Sequence, residues 1–407
     1  MAETNGKKLK VRNNVHVHDD LALFILSKLP LKSLKRFGCV SKSWSLLFQN
    51  PHFMNMFRTH FSSMSSSDHD GGDTFLFLQE PELPVTHEYR YHGAFYLLPN
   101  ERFEDRIRLD LPPPFQVDDS NIYVLSSVSV NGILCLGQDR KRGRVYSFRA
   151  VLWNPATAEF RVIPPSPDEF APPYRNPVFY FHGFGYDRVR EDYKVIRYIS
   201  FFHLSDEEED VPFEDRSYDP LLEIYSLRSN SWRILHVNMP DCYFEKPLGV
   251  YMDGVCHWWG KTDSLNVEGC LVSFDLSNEL LFTTPMPLHM VVSCDVYVER
   301  QLVLLNDSIA LISNYFNATT FHISILGELG VRESWINLFN VELIPSIECP
   351  IGVGKKGDIC FRKRDDELVW IDLSTQIINE IGAKGEIYSC QMGIYKESVL
   401  PIGGINS

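Results

Sequence analysis

The side chains best suited to chemistry in this sequence are histidine and cysteine, and neither type is grouped for it. The 13 histidines are scattered one by one. His257 stands between Cys256 and Trp258 in a strand-like run. An isolated histidine there is expected to be a satisfied core residue rather than a metal ligand. The nine cysteines, Cys39, Cys135, Cys242, Cys256, Cys270, Cys294, Cys349, Cys360 and Cys390, are odd in number and include no C-x-x-C pair. Neither a disulfide framework nor a zinc site follows, and they read as small buried hydrophobes. No G-x-S-x-G, H-E-x-x-H or phosphate-cradling loop occurs. The expectation is a chain without a cofactor, metal or catalytic set of its own, whose function lies in binding.

Composition bounds the partner. A net charge of −14 argues against nucleic acid, because binding a phosphate backbone requires a dense Lys/Arg surface. The apolar fraction of 44% and aromatic fraction of 13% suit a folded globular protein. No run approaches the roughly 20 uncharged apolar residues that cross a bilayer, so no membrane is expected. The opening MAETNGKKLKVRNNVHVHDD lacks the apolar core of a secretory leader, which predicts a reducing compartment. Sequons at Asn306 and Asn317 then carry no message, and KKLKVR at 7–12 reads as a solvated tail. Charge is unevenly spread: Asp19 and Asp20 face five bases, Lys28, Lys32, Lys35, Arg36 and Lys42, giving +3 between Asp19 and Ser45.

Residues 19–61 read as four short helices. Asp19 and Asp20 suit a helix N-terminus, and Leu21, Phe24, Ile25 and Leu29 follow at helical spacing until Pro30 stops the helix. Leu31, Leu34, Phe37 and Val40 form a second helical stripe. Ser41 can cap a third helix carrying Trp44, Leu47 and Phe48, and Pro51 starts a fourth. A unit this small cannot normally hold itself together without disulfides, metal or a partner. Leu23 and Leu26 point away from the Leu21, Ile25 and Leu29 side, so apolar residues lie on more than one face. Part of that surface is expected to meet another protein, and an acidic one given the +3 balance.

A polar linker follows, SSMSSSDHDGGD at 62–73. Its DHDGGD portion comes near a calcium loop, but Gly72 stands where the fifth-position oxygen ligand belongs and Gln79 where the acid belongs. From about residue 74 the language is strand and turn. A unit recurs at VLWNPATAEFRVI (151), EIYSLRSNSWRIL (223), LVSFDLSNELLFT (271), FHISILGELGVRESW (321) and LVWIDLSTQIINEI (368). With Asn154, Ser226, Asp275, Ser324 and Asp372 as equivalents the spacings are 72, 49, 49 and 48. A period near 50 is that of four-stranded propeller blades. The long spacing contains SDEEEDVPFEDRSYDP, read as a loop inserted into one blade. Segments near 106 and 387 are expected to supply the first blade and a closing strand. Trp258 and Trp259, adjacent on a strand, must face opposite ways, with one in the core and the other exposed.

These stretches carry a resemblance. DDLALFILSKLPLKSLKRFGCVSKSW followed by NPHFMNMFRTHF resembles an F-box, the helical module by which substrate adaptors dock onto the Skp subunit of cullin-based ubiquitin ligases. NGILCL (131), LWNPATAEFRVIPPSP (152), HGFGYDRVREDYKVIRY (182), EIYSLRSNSWR (223), YMDGVCHWWG (251), LVSFDLSN (271) and GVRESWINLF (330) resemble the F-box-associated interaction domain of the large plant F-box family. The resemblance implies a multidomain chain, α then all-β: a tail at 1–16, an F-box at 17–61, a linker at 62–74, and a kelch-like β-propeller of about six blades at 75–400 that binds a target. It implies a non-catalytic adaptor in the cytoplasm or nucleus, partnered by Skp, a cullin and a target protein. The rival reading is a scaffold that keeps an F-box-like module outside any ligase.

Carried over, the Skp-docking residues are Leu21, Ile25, Leu29, Pro30, Leu34, Val40, Lys42 and Trp44, of which Leu34, Val40 and Trp44 fit the module's core equally well. Two positions depart from the family pattern. Val17-His18 replaces the usual Leu-Pro, and Ser41 replaces the cysteine of Val-Cys-Lys. Both changes weaken the edge of the docking surface and leave its centre. Asp206, Glu207, Glu208, Glu209 and Asp210, in the acidic insertion, are the candidate features for steering a basic target.

Overall fold

The computed structural model describes residues 19–29, 31–38, 44, 46–63, 74–82, 92–99, 103–115, 122–126, 129–142, 145–167, 175–203, 219–237, 249–261, 269–287, 290, 298–315, 320–342, 346–385 and 390–403. The chain divides into two compact units, Met1–Phe61 and Ser62–Ser407. Among the described residues no helix is long and apolar enough to cross a membrane.

In the first unit, helix α1 (Asp19–Ser27) begins on its two acids and ends as the Lys28 and Leu29 amides bond back to Ile25 and Leu26. Helix α2 spans Leu31–Gly38. Of the third helix expected from Ser41, the described residues show Trp44 in α-helix and a 3-10 turn at Leu47–Gln49. Helix α3 (Pro51–Ser63) starts as the sequence foretells, since Asn50 Oδ1 accepts the amides of His52 (2.9 Å) and Phe53 (3.2 Å) and Pro51 needs no amide partner. Phe53, Phe57 and Phe61 descend one face of α3 with rings about 6 Å apart, 6.0 and 6.1 Å between centroids. They join Leu26, Leu34 and Leu47 in the core. Each such burial is worth roughly 1.5–3 kcal/mol, which is how so few residues hold together.

The second unit is all β. Strands β1 (Thr74–Glu82), β2 (His92–Leu98) and β3 (Ile107–Leu109) open the first blade. Four further strands make the second blade, β4 (Ile122–Val124), β5 (Leu134–Arg142), β6 (Val145–Asn154) and β7 (Glu159–Ile163). The third has β8 (Arg175–Asp187), β9 (Asp192–His203), β10 (Leu221–Ser226) and β11 (Ser231–Ile234), and the fourth β12 (Val250–Met252), β13 (Val255–Lys261), β14 (Gly269–Asp275) and β15 (Leu280–Pro285). β16 (Val298–Leu305), β17 (Ser308–Tyr315), β18 (Thr320–Leu326) and β19 (Trp335–Glu342) form the fifth. The sixth comprises β20 (Ile347–Val353), β21 (Ile359–Lys363), β22 (Glu367–Ile371) and β23 (Ile378–Lys384). Finally β24 (Gln391–Lys396) pairs antiparallel with β1 and completes blade one, so six four-stranded sheets close into a ring. The closing strand is the one expected near 387.

Every repeated unit seen in the sequence is the third strand, turn and fourth strand of a blade. The turn chemistry repeats as well: four residues after Asn154, Ser226, Asp275 and Asp372 come Ala158, Asn230, Glu279 and Gln376, each with positive φ (58°, 49°, 58° and 57°). In the fifth blade the positive φ falls on Gly330 (80°), so the equivalent position is Leu326, not Ser324. Ser324 is a fully buried strand residue. The corrected spacings are 72, 49, 51 and 46. The reason is a substitute cap. Asn154, Asp275 and Asp372 each accept an amide two residues on, whereas Leu326 has no acceptor and Ser334 Oγ receives the Glu328 amide at 3.0 Å.

Two-residue turns Asn131-Gly132, Asp253-Gly254 and Asn306-Asp307 join first to second strands with both φ positive, the geometry that matches strand twist. In an antiparallel blade these turns share one end with the third-to-fourth turns. The strand ends flanking 83–91, 204–220, 262–268 and 316–319 therefore lie at the opposite rim. The tight turns named above share one rim, and the strand ends on either side of these four connections lie at the other.

Blades touch through side chains. Gly183 lets blades three and four approach, since a Cβ there would stand 2.6 Å from Cys256 Cβ. Lys194 Nζ, in β9, donates to Asp187 Oδ2 (2.8 Å), Leu276 O (2.7 Å) and Glu279 Oε1 (3.3 Å), tying the same two blades together. Beyond β24 the chain crosses to blade two. Asn154 Nδ2 donates to Ser398 O (2.8 Å) and Leu400 O (3.2 Å), and Ile402 is 1% exposed in the core between blades two and three. The propeller thus extends past residue 400.

Candidate functional site

The core of the helical unit is filled from one side of α1. Leu26 is buried, which leaves Leu21, Phe24 and Ile25, at the i, i+3, i+4 positions of the other side, 52%, 47% and 50% exposed. Lys28 Nζ sits 4.1 Å from the Phe24 ring centroid, adding a cation to the edge of this apolar stripe. Phe37 and Trp44 meet edge to face at 5.8 Å, with Phe37 and Leu46 also exposed. An isolated unit has no reason to leave so much apolar surface on one helix, so this stripe is the candidate interface.

The residues carried over from the resemblance fall into three groups. Leu21 and Ile25 lie on the exposed stripe, and Leu29 and Trp44 are half-buried. Leu34 is 1% exposed, so of its two expected places it occupies the core. Pro30, Val40 and Lys42 lie outside the described residues, as do Val17, His18 and Ser41. Phe24 was absent from the carried-over set, although its spacing from Leu21 placed it on the same face.

The propeller's titratable groups are consumed by structure. His257 is fully buried and its Nδ1 is 2.8 Å from Ser273 Oγ, a cross-strand neighbour. Histidine beside serine has the composition of a base and a nucleophile, but both are sealed from solvent. Burial also pushes the His257 pKa down to about 3, making it a poor base. His182 stacks on Trp258 at 5.0 Å and is likewise pushed down to about 3 by burial. Trp258 is buried toward blade three. Trp259 faces the other way but is half-covered against blade five, with Arg300 5.8 Å from its ring, so it is not the exposed partner expected. Among the described residues, Cys135, Cys256, Cys270, Cys349, Cys360 and Cys390 are buried and none is in a disulfide. Burial raises the pKa of Cys135, Cys256, Cys270 and Cys360, which keeps them protonated and unreactive.

Two carboxylates anchor buried cations. Glu223 Oε2 accepts from Arg197 Nε at 2.8 Å and Oε1 from Ser166 Oγ at 2.5 Å, while Arg197 lies 3.9 Å from the Trp232 ring centroid. Asp187, held well below the usual carboxylate range by Lys194, Ser277 and Arg190 against the opposing effect of burial, is the counterpart at the tight-turn rim. The acidic residues Asp206, Glu207, Glu208, Glu209 and Asp210 lie outside the described residues.

Comparison with known proteins finds two family matches: the F-box associated beta propeller domain at residues 114–402, and the F-box domain at 17–55. A putative F-box protein of Arabidopsis thaliana is 26% identical over 67% of this chain and 61% of its own length. The F-box protein CPR1 of Arabidopsis thaliana is 25% identical over 57% of this chain and 59% of its own. A second putative F-box protein of that plant is 25% identical over 85% of this chain and 79% of its own. The chain thus spans about three fifths of the first two relatives and most of the third.

Proposed function

We propose, on the premise that this chain belongs to the F-box associated β-propeller family, that it is the substrate-recognition adaptor of a Skp, cullin and F-box ubiquitin ligase. The observation that carries this reading is the exposed Leu21, Phe24 and Ile25 stripe within the segment that matches the F-box. A helical unit whose core is already filled still presents three half-exposed apolar side chains, which is what a docking helix requires. The adaptor does no bond-making itself. It holds a target on the propeller so that the target's lysines meet a ubiquitin-charged enzyme at high effective concentration, and the marked target is then degraded.

In this reading the target meets the rim that receives the longer connections and carries basic groups. Residues 204–220 contain eight acids and one base, and they join β9 to β10. So concentrated a charge steers cations toward the rim over about a Debye length, roughly 8 Å at physiological salt.

The test is reconstitution. The full-length chain is mixed with a plant Skp subunit and a cullin, and the mixture is resolved by size. A single species containing all three is the expected result. A well-folded chain that elutes alone would transfer the argument to a scaffold outside any ligase, with Val17-His18 and Ser41 as the departures responsible.

A further inference from the structure

We propose that the cleft between blades three and four, at the tight-turn rim, binds a phosphoryl group, either free or carried on a peptide. The cleft has a volume of about 560 Å³, and its charged lining comprises Arg190, Lys194, Arg228 and Arg233 against only Asp192 and Glu279. In a chain of net charge −14 this is a local excess of cations.

Both carboxylates are already committed to the fold. Asp192 is 4% exposed, and its two oxygens accept from the Arg228 amide (2.8 Å) and Ser226 Oγ (2.6 Å). Glu279 Oε1 receives Lys194 and Arg233 together. The lysine is committed too, its three donors meeting Asp187, Leu276 O and Glu279.

The arginines are not. Each guanidinium has five N–H donors. Arg190 uses one nitrogen, Nη1, for Asp187 and Ser277 O and remains 51% exposed. Arg233 uses Nη2 for Glu279 and remains 52% exposed. The Arg228 guanidinium donates only to Arg190 O, at 3.1 Å, and pairs with no carboxylate among the described residues. The cleft lining thus holds more uncommitted guanidinium donors than uncommitted carboxylate oxygens. Forked guanidinium donors suit an anion with several oxygens, and a phosphoryl group offers three where a carboxylate offers two. The Ser229 hydroxyl, 2.9 Å from Ser231 Oγ, lines the same wall.

This site is independent of docking by the helical unit, and its test needs only the full-length chain. Calorimetric titration at low salt uses inorganic phosphate, a peptide with one phosphoserine, and the same peptide unmodified. Saturable one-site binding of at least one phosphate probe is expected, with none by the unmodified peptide. Arg228→Ala should weaken it about tenfold or more, as expected for loss of a charge-assisted bond, and Arg228→Lys, which keeps charge without the fork, by less. Tighter binding of inorganic phosphate would assign a free ligand, and tighter binding of the phosphopeptide a presented one. Absence of binding by either phosphate probe at low-millimolar concentration, or equal binding by a folded Arg228→Ala protein, would overturn the proposal.

Discussion

The proposed docking through α1 should be removable without unfolding the unit, and the cost can be worked from exposure. Fully burying a Leu, Ile or Phe side chain is worth about 1.5–3 kcal/mol. Leu21, Phe24 and Ile25 keep 52%, 47% and 50% of their surface in the free chain. About half of that value, 0.75–1.5 kcal/mol each, is therefore still available to a partner. Summed over the three side chains this is about 2–4.5 kcal/mol, or roughly thirty- to two-thousandfold in Kd. The perturbation is the triple variant Leu21→Ser, Phe24→Ser, Ile25→Ser, and the assay is titration of the full-length protein with a Skp subunit, followed by calorimetry. Far-ultraviolet circular dichroism should match wild type, because the core side chains Leu26, Leu34 and Phe53 are untouched. Leu34→Ala serves as the contrast. At 1% exposure it should cost about 2–5 kcal/mol of unit stability and lose binding only through unfolding. A folded triple variant whose Kd lies within threefold of wild type would refute the assignment of this face.

Further outcomes can be checked separately. Glu223→Ala strands the buried Arg197 charge and should cost the propeller about 3–5 kcal/mol in urea unfolding, whereas replacing both residues with apolar side chains of similar volume should restore most of it. Ile402→Ala should lower stability by about 2–5 kcal/mol, because the side chain fills the core between blades two and three. His257, held neutral in the fold with its pKa pushed down to about 3, binds a proton mainly in the unfolded chain below pH 6.5. Stability present above pH 6.5 is thus lost as pH falls, and a His257→Gln protein should gain about 2 kcal/mol relative to wild type between pH 7 and 5. Replacing Asp206, Glu207, Glu208, Glu209 and Asp210 with Ser and Asn should slow target association and flatten its salt dependence, and an unchanged rate at low salt would remove the steering role.

Much of this architecture is written in local signals. Asn131-Gly132 and Asp253-Gly254 specify hairpins because few other residues accept two positive φ angles in succession. Asn154, Asp275 and Asp372 mark blade turns because a short acceptor bonds the amide two residues ahead. From such signals the sequence alone determined a small helical module, a propeller of about six blades and a closing strand near residue 387. It could not assign the fifth turn. Leu326 looks like core, and its cap, Ser334, comes from eight positions later, a distance no periodic pattern encodes. The same limit applies to faces. Helical spacing grouped Leu21, Phe24 and Ile25 on one side of α1, but only the tertiary structure decided that Leu26, Leu34 and Phe53 are the buried residues and that this side is left exposed. Likewise the β pleat put Trp258 and Trp259 on opposite faces, and only the presence of a blade on each side determined that both are covered. The arginine cleft is wholly a tertiary product. Arg190, Arg228 and Arg233 lie at separate positions along blade three, and only the fold brings them to one wall beside Glu279 of blade four.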